Sequence, residues 1–189
     1  MKKLIGLTLV IILLPLVSCA PSVTEPEVEQ EDTQMTEIEK ALAERGALNA
    51  DTVEEASKIA GYPVTAPAFL PEGFHRSGKI MVSQLGVPGF SDAAEFPKHV
   101  EQIWTWEEDR EVWFMLTQSP KQFGVGGAEP SEVCGRTGER KLSEAGPDTP
   151  ARLTLGWSDG SLFYSLSGTL AEPLTEEVLL KIVCSVGVE

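Results

Sequence analysis

The sequence is poor in the residues that most site chemistries require. Its 189 residues include two histidines and three cysteines. His75, His99, Cys134 and Cys184 have no Cys or His neighbour at zinc-ligand spacing. Bases are scarce as well: 15 Lys and Arg stand against 29 Asp and Glu, a formal net charge of −14. Nucleic acid is excluded as a partner, because its phosphates need Lys and Arg to displace their counterions. Flat docking on anionic lipid is disfavoured too, since like charges repel within a Debye length of about 8 Å. The longest apolar run, Leu4 to Leu16, has thirteen residues and contains Pro15, whereas a spanning helix needs roughly 20. No repeat recurs at a fixed period.

That short run is nevertheless informative. Met1-Lys2-Lys3 precedes it and Leu16-Val17-Ser18-Cys19 ends it. A basic start, an apolar centre and small residues at the end predict a secretory signal over residues 1–18. With Leu at minus three, Ser at minus one and then Cys, the stretch resembles the bacterial lipobox. The resemblance implies cleavage before Cys19, acylation of its sulfur and amine, and a protein anchored by lipid on the extracytoplasmic side of the cell membrane. Each buried methylene contributes about 0.8 kcal/mol, so two or three chains hold stably where one holds marginally. Loss of Lys2 and Lys3 with the leader would take the net charge from −14 to −16.

Residues 19–35 carry five acids, no bases, two prolines and no aromatics. Such a composition cannot build a core and predicts a disordered acidic tether. Residues 36–189 amount to a single domain, large enough to bury about 68–70% of its unfolded surface. Thr36-Glu37-Ile38-Glu39 spells a capping box and predicts a short helix to Arg45. Asp51-Thr52-Val53-Glu54 repeats it, with Asp51 as the expected cap and Gly61 as the stop. Strands are expected over Lys79–Leu85, over Val100–Trp106 and Glu111–Gln118 as a hairpin, and through Val133-Cys134. Asp159-Gly160 between apolar alternations predicts a further hairpin, Arg152–Trp157 with Leu162–Leu166. Gly86–Pro97 and Ser119–Ser131 are expected loops. Thr175 caps a final amphipathic helix with Val178, Leu179, Ile182, Val183 and Val186 as its apolar stripe. The expected fold class is α+β: an antiparallel sheet with N-terminal helices and the C-terminal helix packed on it.

Several strings in order resemble a family. They are Ile59-Ala60-Gly61-Tyr62-Pro63-Val64, Leu70-Pro71-Glu72-Gly73-Phe74, Leu116-Thr117-Gln118, and Leu155-Gly156-Trp157-Ser158-Asp159-Gly160 followed by Tyr164-Ser165-Leu166-Ser167-Gly168. The closing Glu177–Ser185 segment completes the series. Together they are similar to a small extracytoplasmic domain of unknown function, found in bacterial lipoproteins and in anti-sigma-factor-like membrane proteins. The resemblance covers roughly Ala56 to Val186 and implies an α+β envelope domain that binds or senses something. It carries no catalytic residues, and Cys134 and Cys184 lie outside its pattern.

Gly156-Trp157-Ser158-Asp159-Gly160 matches the Gly-x-Ser-x-Gly spelling of a hydrolase nucleophile elbow. That elbow needs a helix after the serine and a histidine later in the chain. Here a strand-like segment follows and both histidines come earlier, so a hairpin turn is expected. His75 and His99 read as solvated loop residues, and Glu107, Glu108 and Asp109 as a solvated tip. No metal site, cofactor or catalytic residue is expected. In an exported chain Cys134 and Cys184 are expected to form a disulfide rather than two buried thiols. Trp104, Trp106 and Trp113 interleave with apolar residues, which reads first as core. On an uncovered sheet face they would instead form a surface for a partner or ligand. The leading expectation is a non-enzymatic binding or sensory module of the cell envelope, its partner an envelope protein. The alternative is a carrier or sensor of a hydrophobic ligand lined by the three tryptophans.

Overall fold

A computed structural model describes residues 47–84, 98–120, 124–147 and 149–187. The leader, Cys19, the tether, the Thr36–Arg45 helix and the Gly86–Pro97 loop all lie outside the described residues.

The first helix, α1 (Val53–Ala60), is capped one residue later than expected. Thr52 Oγ1 accepts from the Glu55 backbone N–H at 3.1 Å, and Glu55 Oε2 accepts from the Asp51 N–H at 2.9 Å. A hydroxyl on Thr52 thus satisfies an N–H that the helix leaves open. Gly61 closes the helix in the left-handed region at φ 84°, where a Cβ would be strained.

The sheet dominates. Its strands are β1 (Leu48–Ala50), β2 (Phe74–Arg76), β3 (Ile80–Gln84), β4 (Lys98–Trp106), β5 (Trp113–Ser119), β6 (Glu129–Val133), β7 (Arg136–Ser143), β8 (Arg152–Ser158) and β9 (Phe163–Thr169). They pair antiparallel in the order β1-β3-β4-β5-β9-β8-β7-β6. The long β4 pairs β3 along its first half, and its second half pairs β2, with Arg76 opposite Trp104 and Phe74 opposite Trp106. With α2 (Glu176–Cys184), the described residues hold two helices against nine strands. The α+β expectation is therefore corrected in proportion to a mostly β sheet with two short helices.

Two expected features change. Ser119–Ser131 is not loop throughout, because Glu129–Val133 forms β6 at the sheet's edge. The polar stretch Arg136–Ser143, for which the sequence pattern offers no assignment, is β7. Between them Cys134 occupies a tight turn at φ 52° rather than a strand.

Alternation decides what each face buries. On one face lie Trp104, Phe114, Leu116, Leu166, Leu153, Leu155 and Trp157, in one buried cluster with Leu174, Leu179, Ile182 and Val183 from α2 and the turn before it. At Gly168 helix and sheet meet closely: a Cβ there would lie 2.7 Å from Leu179 Cδ2. A second cluster joins Ala56 of α1 to Ala50, Ile80, Val82 and Val100. Between the two runs the extended Tyr62–Leu70 segment. Its Thr65 carbonyl accepts from Gln102 Nε2 at 2.8 Å and also from Gln118 Nε2, while Thr65 N–H donates to Gln118 Oε1 at 3.1 Å. Both glutamines are fully buried, so their amides serve to hold a non-helical strand of chain whose backbone groups would otherwise be buried unpaired.

Candidate functional site

The three tryptophans do not form one surface. Trp104 is 2% exposed and stacks on Phe114, with ring centroids 4.9 Å apart and an interplanar angle of 11°. Trp106, on the same face, is half-buried against that cluster. Trp113 pairs opposite Thr105, which puts it on the other face of the sheet. The trio read as a ligand surface is thus divided, with Trp104 as core and Trp113 alone on the opposite side.

That opposite face is rich in hydroxyls. Thr117, Ser165, Thr154 and Ser167 project there, the last two bonded to each other at 2.9 Å. One end is covered by the 124–128 turn. Val125 N–H donates to Glu139 Oε2 at 3.0 Å, Lys141 Nζ donates to the Gly126 carbonyl, and Val125 Cγ2 sits over Gly156.

The other end holds an open cleft of about 500 Å³ around Trp113. Its floor is a row across four strands: Trp113 on β5, Thr169 on β9, Arg152 on β8 and Ser143 on β7. Thr169 Oγ1 accepts from the Trp113 N–H at 3.1 Å and fixes the strand end that carries the ring. The β4–β5 turn supplies Arg110 and Glu111 as one wall; Glu144, Thr149 and Pro150 form the other. The turn is braced by Asp109, whose Oδ1 accepts from the Glu111 N–H at 2.9 Å. Among the described residues neither the Arg110 nor the Arg152 side chain makes an ion pair or hydrogen bond. Arg140, by contrast, grips Glu176 through two nitrogens at 2.9–3.1 Å. A second recess of about 530 Å³ adjoins the cleft and shares Glu111, Thr149 and Pro150 with it.

The remaining expected sites resolve as structure. Ser158, the serine of the Gly-x-Ser-x-Gly spelling, donates to the Leu162 carbonyl at 2.9 Å and accepts from the Gly160 N–H at 3.1 Å, inside the β8–β9 turn. Asp159 braces the same turn by accepting from Ser161 and Leu162 N–H groups and from the Tyr164 hydroxyl, each at 2.8 Å. Partial burial works to raise the Asp159 pKa, but these hydrogen bonds outweigh it and hold the carboxyl down at about 2. Burial, then the Asp159 carboxylate, pushes the Tyr164 hydroxyl up to about 12. Cys134 and Cys184 are bonded, as expected, and tie the β6–β7 turn to the last residue of α2. Glu107, Glu108 and Asp109 are exposed, and among the described residues no three His, Cys, Asp or Glu side chains gather as a metal site.

The histidine expectation is corrected in part: neither residue lies in a loop, although His75 is exposed as expected. His75 lies on β2, and His99 lies on β4, 8% exposed. Cross-strand pairing of Ser83 with His99 brings Ser83 Oγ to 3.0 Å from His99 Nε2, and Glu101 Oε1 lies 3.4 Å from the same nitrogen. A nucleophile relay needs serine and carboxylate on opposite ring nitrogens. Here both meet Nε2, so the group is a polar cross-strand contact. The Ser83–His99 pairing was not read from the sequence because it depends on the register of β3 against β4.

Among the described residues no helix is long and apolar enough to cross a membrane. No protein-family model matches this chain, nor does any curated protein or solved structure match it.

Proposed function

We propose that the chain is a non-enzymatic, lipid-anchored binding or sensory module of the cell envelope. In this reading residues 1–18 are the leader and Cys19 carries the lipid. Residues 19–35 hold the domain off the membrane, and residues 36–189 form an α+β recognition domain with α2 laid on its sheet. The domain is of the kind found in bacterial lipoproteins and anti-sigma-factor-like membrane proteins.

One observation carries the binding role. The sheet buries three of its large aromatics, Trp104, Phe114 and Trp157, on its helix-bearing face. It places a fourth, Trp113, in an open cleft among hydroxyls and two guanidinium groups that have no ion-pair partner among the described residues. An aromatic among polar groups is a poor contribution to a core and a good contribution to recognition. The hydrophobic-carrier alternative needs Trp104, Trp106 and Trp113 to line one cavity, and the sheet register divides them between two faces.

The test is site-specific photocrosslinking. A benzophenone amino acid replaces Trp113 in the full chain within its own membrane. The expected result is a discrete adduct that is missing when the probe replaces exposed Glu108. Equal labelling at both positions overturns the reading. For the anchor, Cys19→Ser is expected to abolish lipid incorporation and release the protein or leave it uncleaved. A cleaved, membrane-retained Cys19→Ser chain would show that the lipobox reading is wrong.

A further inference from the structure

Resting on that binding role, we propose that the Trp113 cleft is a saccharide site, and that its ligand is an oligosaccharide bearing a carboxylate.

The chemistry of the walls selects this class. Trp113 offers a ring with no aromatic partner of its own among the described residues. A sugar ring presents a flat C–H face to such a surface and hydroxyls at its rim. Arg110 and Arg152 supply two guanidinium groups without ion-pair partners among the described residues. A guanidinium is a planar fork that matches a carboxylate through two parallel hydrogen bonds. In a chain of net charge −14, two cations in one cleft that form no ion pair among the described residues make a local place where an anion is admitted.

The same cleft also contains Glu111 and Glu144. Those carboxylates disfavour a dense polyanion, and they accept hydrogen bonds from ligand hydroxyls. A ligand with one acid group and many hydroxyls fits both halves of the lining. A hydrocarbon fits neither, because Ser143, Thr149 and four charged side chains would lose water without gaining a partner.

Size and shape agree. The cleft's volume of about 500 Å³ falls within the usual range for small-ligand sites, about 300–1,000 Å³. The adjoining recess, bounded by Asp109, Gly146 and Pro147, continues past Glu111 and Thr149. An oligosaccharide would set its acidic unit on Trp113 between the arginines and run its neutral neighbour into that recess.

The test titrates the full chain, solubilised in detergent, with three probes. One is a hyaluronan oligosaccharide, in which uronic acid alternates with a neutral amino sugar. Another is the same oligosaccharide with its carboxylates reduced to alcohols. Dextran sulfate reports charge alone. The expected result is binding of the first at least tenfold tighter than the second. Removing one charge-assisted hydrogen bond, in Arg110→Gln or Arg152→Gln, is expected to weaken it about tenfold or more. Trp113→Ala should abolish it while the urea unfolding midpoint falls by less than about 0.5 M. Equal affinity for acidic and reduced forms overturns the carboxylate assignment. Dextran sulfate binding as tightly, with Trp113→Ala unaffected, shows ion exchange and overturns the site. No binding of either oligosaccharide overturns the proposal; a photocrosslink at position 113 would then still support the binding module, and loss of both would remove the two readings together.

Discussion

Reducing the Cys134–Cys184 bond should cost this domain a large share of its stability. The bond closes a loop of 50 residues that contains β7, β8, β9 and most of α2. In the chain-entropy relation, a loop of that length removes about 14 cal/mol/K from the unfolded ensemble, or about 4 kcal/mol at 25 °C. Folded-domain stabilities run about 5–15 kcal/mol, so the loss is severe without being fatal. Both cysteines are exposed, and a reductant reaches them without unfolding the chain. With a urea slope of roughly 2 kcal/mol/M, the midpoint should fall by about 2 M on reduction. The slope itself should rise, because the reduced unfolded chain exposes more surface. Urea titrations followed by tryptophan fluorescence, with and without phosphine reductant, measure both quantities. A midpoint shift below about 0.5 M would refute the reasoning, since the loop would then be no freer unfolded than folded.

Two further predictions come from close packing and from charge. Gly168→Ala places a methyl 2.7 Å from Leu179 Cδ2 and 3.1 Å from Phe114 Cβ, and overpacking of this kind costs about 1–3 kcal/mol in chemical denaturation; an unchanged midpoint would mean that α2 moves freely on the sheet. Asp159 has its folded pKa depressed to about 2, against 3.8 ordinarily. Its contribution is therefore complete above about pH 4 and is lost as pH falls through 2. The stability gap between the native chain and Asp159→Asn should narrow over that window, and a gap that stays constant from pH 5 to pH 2 refutes the linkage.

The elements legible in the sequence were those in which pattern and local chemistry agree. Asp159-Gly160 marked the β8–β9 hairpin because Asp159 can brace the turn and Gly160 takes φ 96° without strain. Thr175 marked the start of α2 because its hydroxyl reaches the Val178 N–H. Failures have equally local causes. The β7 strand reads Arg-Thr-Gly-Glu-Arg-Lys-Leu-Ser and lacks apolar alternation. It is held by backbone pairing to β6 and β8 on its two sides. β6 contains Pro130, which reads as a breaker, yet the strand is the last in the sheet and an edge tolerates a missing donor. The α1 cap slipped by one because Asp51 and Thr52 can both cap, and only the contact with Glu55 distinguishes them. The cleft was invisible for a different reason. Arg110, Trp113 and Arg152 come together through the pairing of β5, β9 and β8, a long-range arrangement that no local pattern encodes.

Register also explains why Trp104 and Trp113 play opposite parts, and it yields a sharp contrast. In the β4–β5 hairpin, Trp104 faces Phe114 and Thr105 faces Trp113. Directly opposed residues project to the same side, and alternate residues along each strand share a side. Trp104 and Trp106 therefore share a side with Val112, Phe114 and Leu116, while Trp113 falls on the other. One residue more or less in the Glu107–Arg110 turn would turn Trp113 inward and put Phe114 outside. Buried Trp104 fills space against Phe114, so Trp104→Ala should cost about 3–5 kcal/mol. Trp113 borders solvent, and Trp113→Ala should cost under about 1 kcal/mol. Urea unfolding of the two variants measures the difference. Equal losses would show that both rings carry the fold, and the assignment of Trp113 to recognition would lose its physical basis.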